Sequence, residues 1–219
     1  MTIGDYPEYL ALGFLANQNI LNIGSNDIPI VEYFKDIETV VVRTKTKTNF
    51  EIQEKKKIKT SGCANGTIFG NLLENFEDFK IESSSSITSK QIFNLYKKIN
   101  LLPSLYLKSG AIHGCLLCTN TEPLAFFEDV GRHNAIDKLA GFMMKEKISA
   151  KDKILYTTGR LTSEMVIKAV MMKLPIIASR SGFTAWGVEL ARKSQITMIG
   201  RLRGRTFTIL SGSERIKKG

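Results

Sequence analysis

Four stretches of this sequence repeat one combination: a short apolar run, then glycine, arginine and hydroxyl-bearing residues. After Phe126-Phe127-Glu128 comes Asp129-Val130-Gly131-Arg132-His133-Asn134. After Leu155-Tyr156-Thr157 comes Thr158-Gly159-Arg160-Leu161-Thr162-Ser163-Glu164, and after Ile176-Ile177-Ala178 comes Ser179-Arg180-Ser181-Gly182-Phe183-Thr184. A fourth run, 196–199, leads into Gly200-Arg201-Leu202-Arg203-Gly204-Arg205. Arginine carries a planar fork of donors that fits phosphate or carboxylate. Glycine lets backbone approach an anion, and a helix N-terminus adds unpaired N–H groups with partial positive charge. Open α/β sheets bind ligands outside the carboxyl ends of their strands. Four such turns on one sheet edge would build the cationic, hydroxyl-lined rim that a nucleotide with a pyrophosphate needs. Arg132, Arg160, Arg180, Arg203 and Arg205, with the hydroxyls of Ser163, Ser179 and Ser181, are its candidate contacts.

Neither Gly-x-x-x-x-Gly-Lys-Ser/Thr nor Gly-x-Gly-x-x-Gly occurs, which excludes ordinary nucleotide triphosphatases and dehydrogenases. The basic residues after position 120 sit in glycine-rich turns without interleaved aromatics. No single-strand nucleic-acid face is therefore expected.

The second chemical feature is Cys63, in the loop Ser61-Gly62-Cys63-Ala64-Asn65-Gly66-Thr67 just after Lys55, Lys56, Lys57 and Lys59. Nearby positive charge lowers a thiol's pKa and favours the reactive thiolate. A nucleophile and a surface cysteine without a role are both compatible with this local pattern. Cys115 and Cys118 have the spacing of a metal or redox pair. They lie in the apolar run 111–118, however, and residues three apart on a strand point to opposite faces. They read as small core hydrophobes. A zinc-dependent nucleobase deaminase would need His-x-Glu, or Cys-x-Glu, with Pro-Cys-x-x-Cys. Here His113 is followed two later by Cys115 and His133 by Ala135, and Gly114 precedes the cysteine pair. The catalytic glutamate is missing from both places, and no metal site is assigned.

The elements that would position these residues follow from periodicity. Residues 5–16 have helical apolar spacing, 37–43 reads as a strand, and 88–100 as an amphipathic helix with Thr88 as its cap. Strands are expected at 111–118, 124–128, 153–157, 175–178 and 196–200. Helices are expected at 134–146, 162–173 and 184–194, and 205–210 reads as a final edge strand. This rhythm predicts an α/β layered fold. A polar linker of serines at 83–86 divides an N-terminal lobe, 1–85, carrying the Cys63 loop, from an α/β lobe, 86–219.

At 219 residues the chain can bury a substantial core. Its net charge of +10 suits a polyanionic partner, although solubilising surface lysines account for the same number. No apolar run approaches a membrane span, and there is no charged leader followed by an apolar stretch. With only three cysteines, this points to a cytoplasmic setting in which thiols stay free.

The string Asp129-Val-Gly-Arg-His-Asn-Ala-Ile-Asp-Lys138, with Gly159-Arg-Leu-Thr-Ser-Glu-Met165 and Ile177-Ala-Ser-Arg-Ser181, closely resembles the formate dehydrogenase accessory sulfurtransferases, the FdhD family. Tyr9-Leu-Ala-Leu-Gly-Phe-Leu15 and Ser61-Gly-Cys63 are similar too, so the resemblance spans nearly the whole chain. It implies a cytidine-deaminase-like layered fold with a mixed sheet and no zinc, plus a smaller N-terminal α+β lobe. It also implies a sulfurtransferase that takes sulfur from a cysteine desulfurase as a persulfide. The sulfur goes to the molybdenum bis(molybdopterin guanine dinucleotide) cofactor before that cofactor enters the formate dehydrogenase catalytic subunit. By the same resemblance Cys63 carries the persulfide, and Arg201, Leu202, Arg203, Gly204, Arg205 and Thr206 form the cofactor-binding segment; a homodimer is expected. Many members have a second loop cysteine where this chain has Gly66, and most have an N-terminal lead-in before the first helix. A cofactor-binding chaperone without covalent sulfur chemistry is the alternative.

Overall fold

The computed structural model describes residues 1–21, 28–45, 47, 48, 50 and 79–218. The loop carrying Cys63 and the preceding lysines lie outside the described residues. Helix α1 (Pro7–Asn17) begins with proline at its first position, where a missing N–H costs nothing. It is followed by the antiparallel hairpin β1 (Ile30–Phe34) and β2 (Thr39–Arg43). After β3 (Ile87–Thr88) comes α2 (Ser89–Asn100), then the short α3 (Leu105–Ser109). The remaining chain forms β4 (His113–Cys118), β5 (Pro123–Asp129), α4 (Arg132–Lys145), β6 (Ile154–Thr157) and α5 (Ser163–Met171). It continues through β7 (Ile176–Ser179), α6 (Ala185–Lys193), β8 (Thr197–Arg203) and β9 (Thr206–Ser211) to the short β10 (Ile216–Lys217).

Strands β4 to β9 make one six-stranded mixed sheet in the order β5-β4-β6-β7-β8-β9. The pairs β6–β7 and β7–β8 are parallel, whereas β5–β4, β4–β6 and β8–β9 are antiparallel. The mixed sheet and the edge position of β9 agree with the sequence reading. Its central strands are apolar on both faces because helices cover both, as parallel sheets require.

On one face lie Cys115, Leu117, Leu155, Ile177 and Met198, packed against α4, α5 and α6. On the other lie Leu116, Cys118, Ile154, Tyr156, Ile176, Ala178 and Ile199, packed against Ile92, Leu95, Tyr96 and Ile99 of α2. Those four residues recur at helical spacing, and each buried aliphatic side chain stabilises the layer by about 1.5–3 kcal/mol. Helix α2 starts at the expected cap: Gln91 N–H donates to the Thr88 hydroxyl at 3.2 Å, and Thr88 N–H donates to Gln91 Oε1 at 2.8 Å. This reciprocal capping box satisfies two otherwise orphan donors.

Helix α1 packs along the outside of α4. Two glycines permit the approach: a Cβ on Gly13 would sit 1.7 Å from the carbonyl oxygen of Asp137, and one on Gly141 2.0 Å from that of Tyr9. Backbone cannot yield as a side chain would, so this crossing requires glycine at both positions.

Candidate functional site

The topology brings the four arginine turns to one sheet edge. Strands β6, β7 and β8 are parallel and end there, while antiparallel β4 begins there, with Cys115 opposite Thr157. Strand β5 also ends there, with Asp129 opposite His113. The turns at 129–132, 157–162 and 179–184 and the outer end of β8 therefore open on the same side.

Short hydrogen bonds lock these turns to each other. The Thr157 hydroxyl donates to the Gly114 carbonyl at 3.1 Å and accepts from Gly159 N–H at 3.1 Å. The Ser179 hydroxyl donates to the Gly159 carbonyl at 2.6 Å and accepts from Ser181 N–H at 2.9 Å. Leu161 N–H donates to the Gly182 carbonyl, and Arg201 N–H to the Ser181 carbonyl. Ser179 is wholly buried, so its hydroxyl is committed to the frame rather than open to a ligand. Ser163, the first residue of α5, is also buried, at 7% exposure.

The arginines stand on this frame. Arg132 opens α4 and is half-buried, Arg180 is half-buried, and Arg160, Arg201, Arg203 and Arg205 are exposed. Arg180 lies over the Tyr106 ring at 5.2 Å from its centroid, and Arg201 over Phe183 at 5.4 Å. Such stacking holds a guanidinium in place while leaving its edge free to donate. Arg203 Nε donates to the Arg180 carbonyl at 3.4 Å, which ties the third and fourth turns together. Among the described residues no carboxylate forms an ion pair with any of these six arginines.

Arg201 has φ +53°, a left-handed backbone that only glycine adopts freely. It falls where the β8–β9 register breaks between Gly200 and Arg203. Beyond it, Leu202 is 2% exposed and packs under α2, so its side chain turns inward between two outward arginines. Gly204, at φ +54°, makes the exposed turn into β9, and Thr206 donates its hydroxyl to the Arg203 carbonyl at 3.2 Å.

Two histidines share this edge. His133 Nε2 lies 2.8 Å from Glu164 Oε2, and the carboxylate is buried at the start of α5. His113 Nδ1 and Arg132 Nε are buried without hydrogen-bond partners. Burial, and then the charges of Arg132, His133 and Arg160, push the His113 imidazole below its ordinary pKa. Glu164, Tyr106 and Phe183 were not among the residues read from sequence as contacts. Their roles come from partners on other elements, although Glu164 does fall inside one of the recognised strings.

The string 129–138 divides its labour between the open edge and the interior. Arg132 and His133 face the open edge, while Asp129, Asn134, Asp137 and Lys138 build the interior. Asp129 accepts from Lys138 and from the Thr2 hydroxyl, each at 2.5 Å, and from Asn134 at 2.9 Å. Lys138 also reaches Asp5 and the Glu128 carbonyl. Asp137 accepts from Asn17 at 2.7 Å and Lys168 at 2.6 Å, which clamps α1, α4 and α5 together.

Cys115 and Cys118 face opposite sides of the sheet, as their spacing on a strand dictates, and burial pushes both thiols up to about 12. No group of three or more potential metal ligands occurs among the described residues. Nor is any helix of the described residues long and apolar enough to cross a membrane.

Comparison with known proteins gives a consistent result. The family model described as FdhD/NarQ matches residues 1–217. A protein of Saccharolobus solfataricus named sulfur carrier protein FdhD is 34% identical over 98% of this chain and 81% of its own length. Its namesake from Wolinella succinogenes is 31% identical over 99% of this chain and 75% of its own. A crystal structure from Desulfotalea psychrophila, described as that of a putative formate dehydrogenase accessory protein, superposes with a TM-score of 0.77 at 26% identity. That match covers 99% of this chain and 82% of the other. The fold, the motif string and these matches agree: the chain belongs to the FdhD/NarQ family.

Proposed function

We propose that this chain carries sulfur for formate dehydrogenase: its relatives are named sulfur carrier proteins, and the matching crystal structure is described as that of a formate dehydrogenase accessory protein. Cys63 receives the sulfur as a persulfide from a cysteine desulfurase. The acceptor is the molybdenum bis(molybdopterin guanine dinucleotide) cofactor, handled as substrate and passed on to the formate dehydrogenase catalytic subunit. The observation that carries this reading is the row of six arginines on one sheet edge, none paired with a carboxylate of the described residues. An unneutralised row of guanidinium groups on a rigid frame calls for a ligand with several anionic oxygens, and two pyrophosphates supply them.

Arg132, Arg160, Arg180, Arg201, Arg203 and Arg205 would contact those oxygens. Gly204 and Thr206 would shape the turn, and Ser163, Ser179 and Leu202 would hold it from behind. Helices on both faces of a mixed sheet suit the cytidine-deaminase-like layering, and we assign the protein to the cytoplasm as a homodimer. The test is calorimetric titration of GDP, which presents the guanine and the pyrophosphate together. Binding lost on replacing rim arginines supports the reading, and no binding by the wild type removes it.

A further inference from the structure

His113 stands at the amino end of β4, among the turns that carry the arginines. Its Nδ1 is buried without a partner, and so is Arg132 Nε. A Cβ placed on Gly159 would come 3.5 Å from His113 Nδ1 and 3.0 Å from Arg132 Cβ, so the imidazole and the arginine flank the same glycine. Buried polar atoms in folded proteins are nearly always hydrogen-bonded, and exceptions call for an explanation. Two such exceptions beside one glycine, on an arginine-rich sheet edge, have a common explanation in a ligand that satisfies both.

We infer that His113 contacts the bound anion and takes up a proton as the anion binds, donating to it from Nδ1 as an imidazolium. This inference rests on the anion-binding reading of the rim.

The charged groups around His113 supply the coupling. Arg132 and His133 face it from α4, and Arg160 from the turn after β6. Asp129, its register partner on β5, is engaged by Lys138, Thr2 and Asn134, while Glu164 on α5 lies against His133. Without ligand, burial and the neighbouring cations keep the imidazole neutral at neutral pH. An anion settling on Arg132 and Arg160 cancels part of that field and offers an acceptor, and both effects favour the charged imidazole. The free-state pKa is therefore low and the bound-state pKa higher. Protons are taken up between the two values, and affinity tightens as pH falls through that window and levels off below it.

The probe is GDP-mannose, a diphosphate ester with no group that titrates near neutral pH. Titration of the full chain at neutral pH in two buffers of different ionisation enthalpy measures the protons taken up. The wild type should take up a substantial fraction of a proton and bind several-fold more tightly at mildly acidic than at mildly alkaline pH. His113→Gln keeps a polar group but cannot become charged, so uptake and pH dependence should vanish together. His133→Gln removes a ring whose electrostatic effect helps hold the His113 imidazole down and should shift the uptake window to higher pH, which gives a second readout independent of the first variant. Binding by the wild type with identical heats in both buffers, or unchanged uptake in His113→Gln, overturns the role of His113 and leaves the rim standing. Failure of the wild type to bind GDP-mannose and GDP alike removes the rim and this inference together.

Discussion

The Ser179 hydroxyl donates to the Gly159 carbonyl at 2.6 Å, and that bond joins the turn carrying Arg160 to the turn carrying Arg180. Both ends are buried, and the same hydroxyl accepts from Ser181 N–H. Ser179→Ala leaves a buried carbonyl and a backbone N–H without partners, at a cost of about 1–3 kcal/mol. Thermal or denaturant unfolding should show that loss, and GDP binding should weaken with it because the spacing of two arginines relaxes. Binding and stability both unchanged would mean the latch is not what sets the arginine spacing.

The rim itself makes a sharper demand. A well-formed charge-assisted contact contributes about 1.5–3 kcal/mol, so removing one should weaken a nucleotide diphosphate by about tenfold or more. Arg160→Ala and Arg203→Ala should each show this in a calorimetric titration with GDP. Lys97→Ala, on the exposed side of α2, should bind like the wild type. Arg→Lys should also weaken binding wherever the contact is bidentate. Equal affinities across the arginine and lysine variants would place the anion site elsewhere.

Cys115 and Cys118 should be chemically silent. Their burial and high thiol pKa leave almost no thiolate, and the thiolate is the reactive form. Alkylation of the native protein at mildly alkaline pH, followed by peptide mapping, should modify Cys63 and spare both strand cysteines until the chain is unfolded. Rapid native labelling of Cys115 or Cys118 would contradict their place in the two core layers.

Asp129 predicts how the fold responds to acid. Burial alone would raise its carboxyl pKa, but hydrogen bonds from Lys138, Thr2, Asn134 and the Gly131 N–H outweigh burial and bring it below the ordinary value. A lowered folded-state pKa contributes stability that is present above the unfolded-state pKa and is lost as pH falls through the folded one. The wild type should therefore exceed Asp129→Asn in melting temperature at neutral pH, and the gap should close in acid, below the usual aspartate range. A gap that stays constant with pH would mean that the carboxylate charge does not stabilise the fold.

Much of this architecture is legible from the sequence because its cues are local. The runs that became β4 to β9 are short, those of β5 to β9 each lead into a turn that carries glycine, and Thr88 marks the start of α2 through its own capping box. What escaped depends on distant partners. Strand β1 is mostly exposed and carries no buried alternation, so nothing in 30–34 announces it. Helix α3 is held by the Glu128 carboxylate, which accepts from Ser104, Leu105 and Tyr106 across more than twenty residues of chain. That Ser179 turns to Gly159 and Leu202 into the core depends on strand order, which periodicity does not contain. The arginines at the strand ends were visible as residues, but the pairing of His133 with Glu164 appears only once α4 and α5 lie side by side.

Sulfur on Cys63 is the central claim, and intact-protein mass spectrometry tests it directly. Incubation with a cysteine desulfurase and cysteine should add the mass of one sulfur atom to the wild type. The addition should be removed by a reductant and should be absent from Cys63→Ser, a variant that should also fail to mature formate dehydrogenase. Sulfur loading that persists in Cys63→Ser, or a Cys63→Ser protein that still matures the enzyme, would contradict the persulfide account and leave a cofactor-binding chaperone in its place.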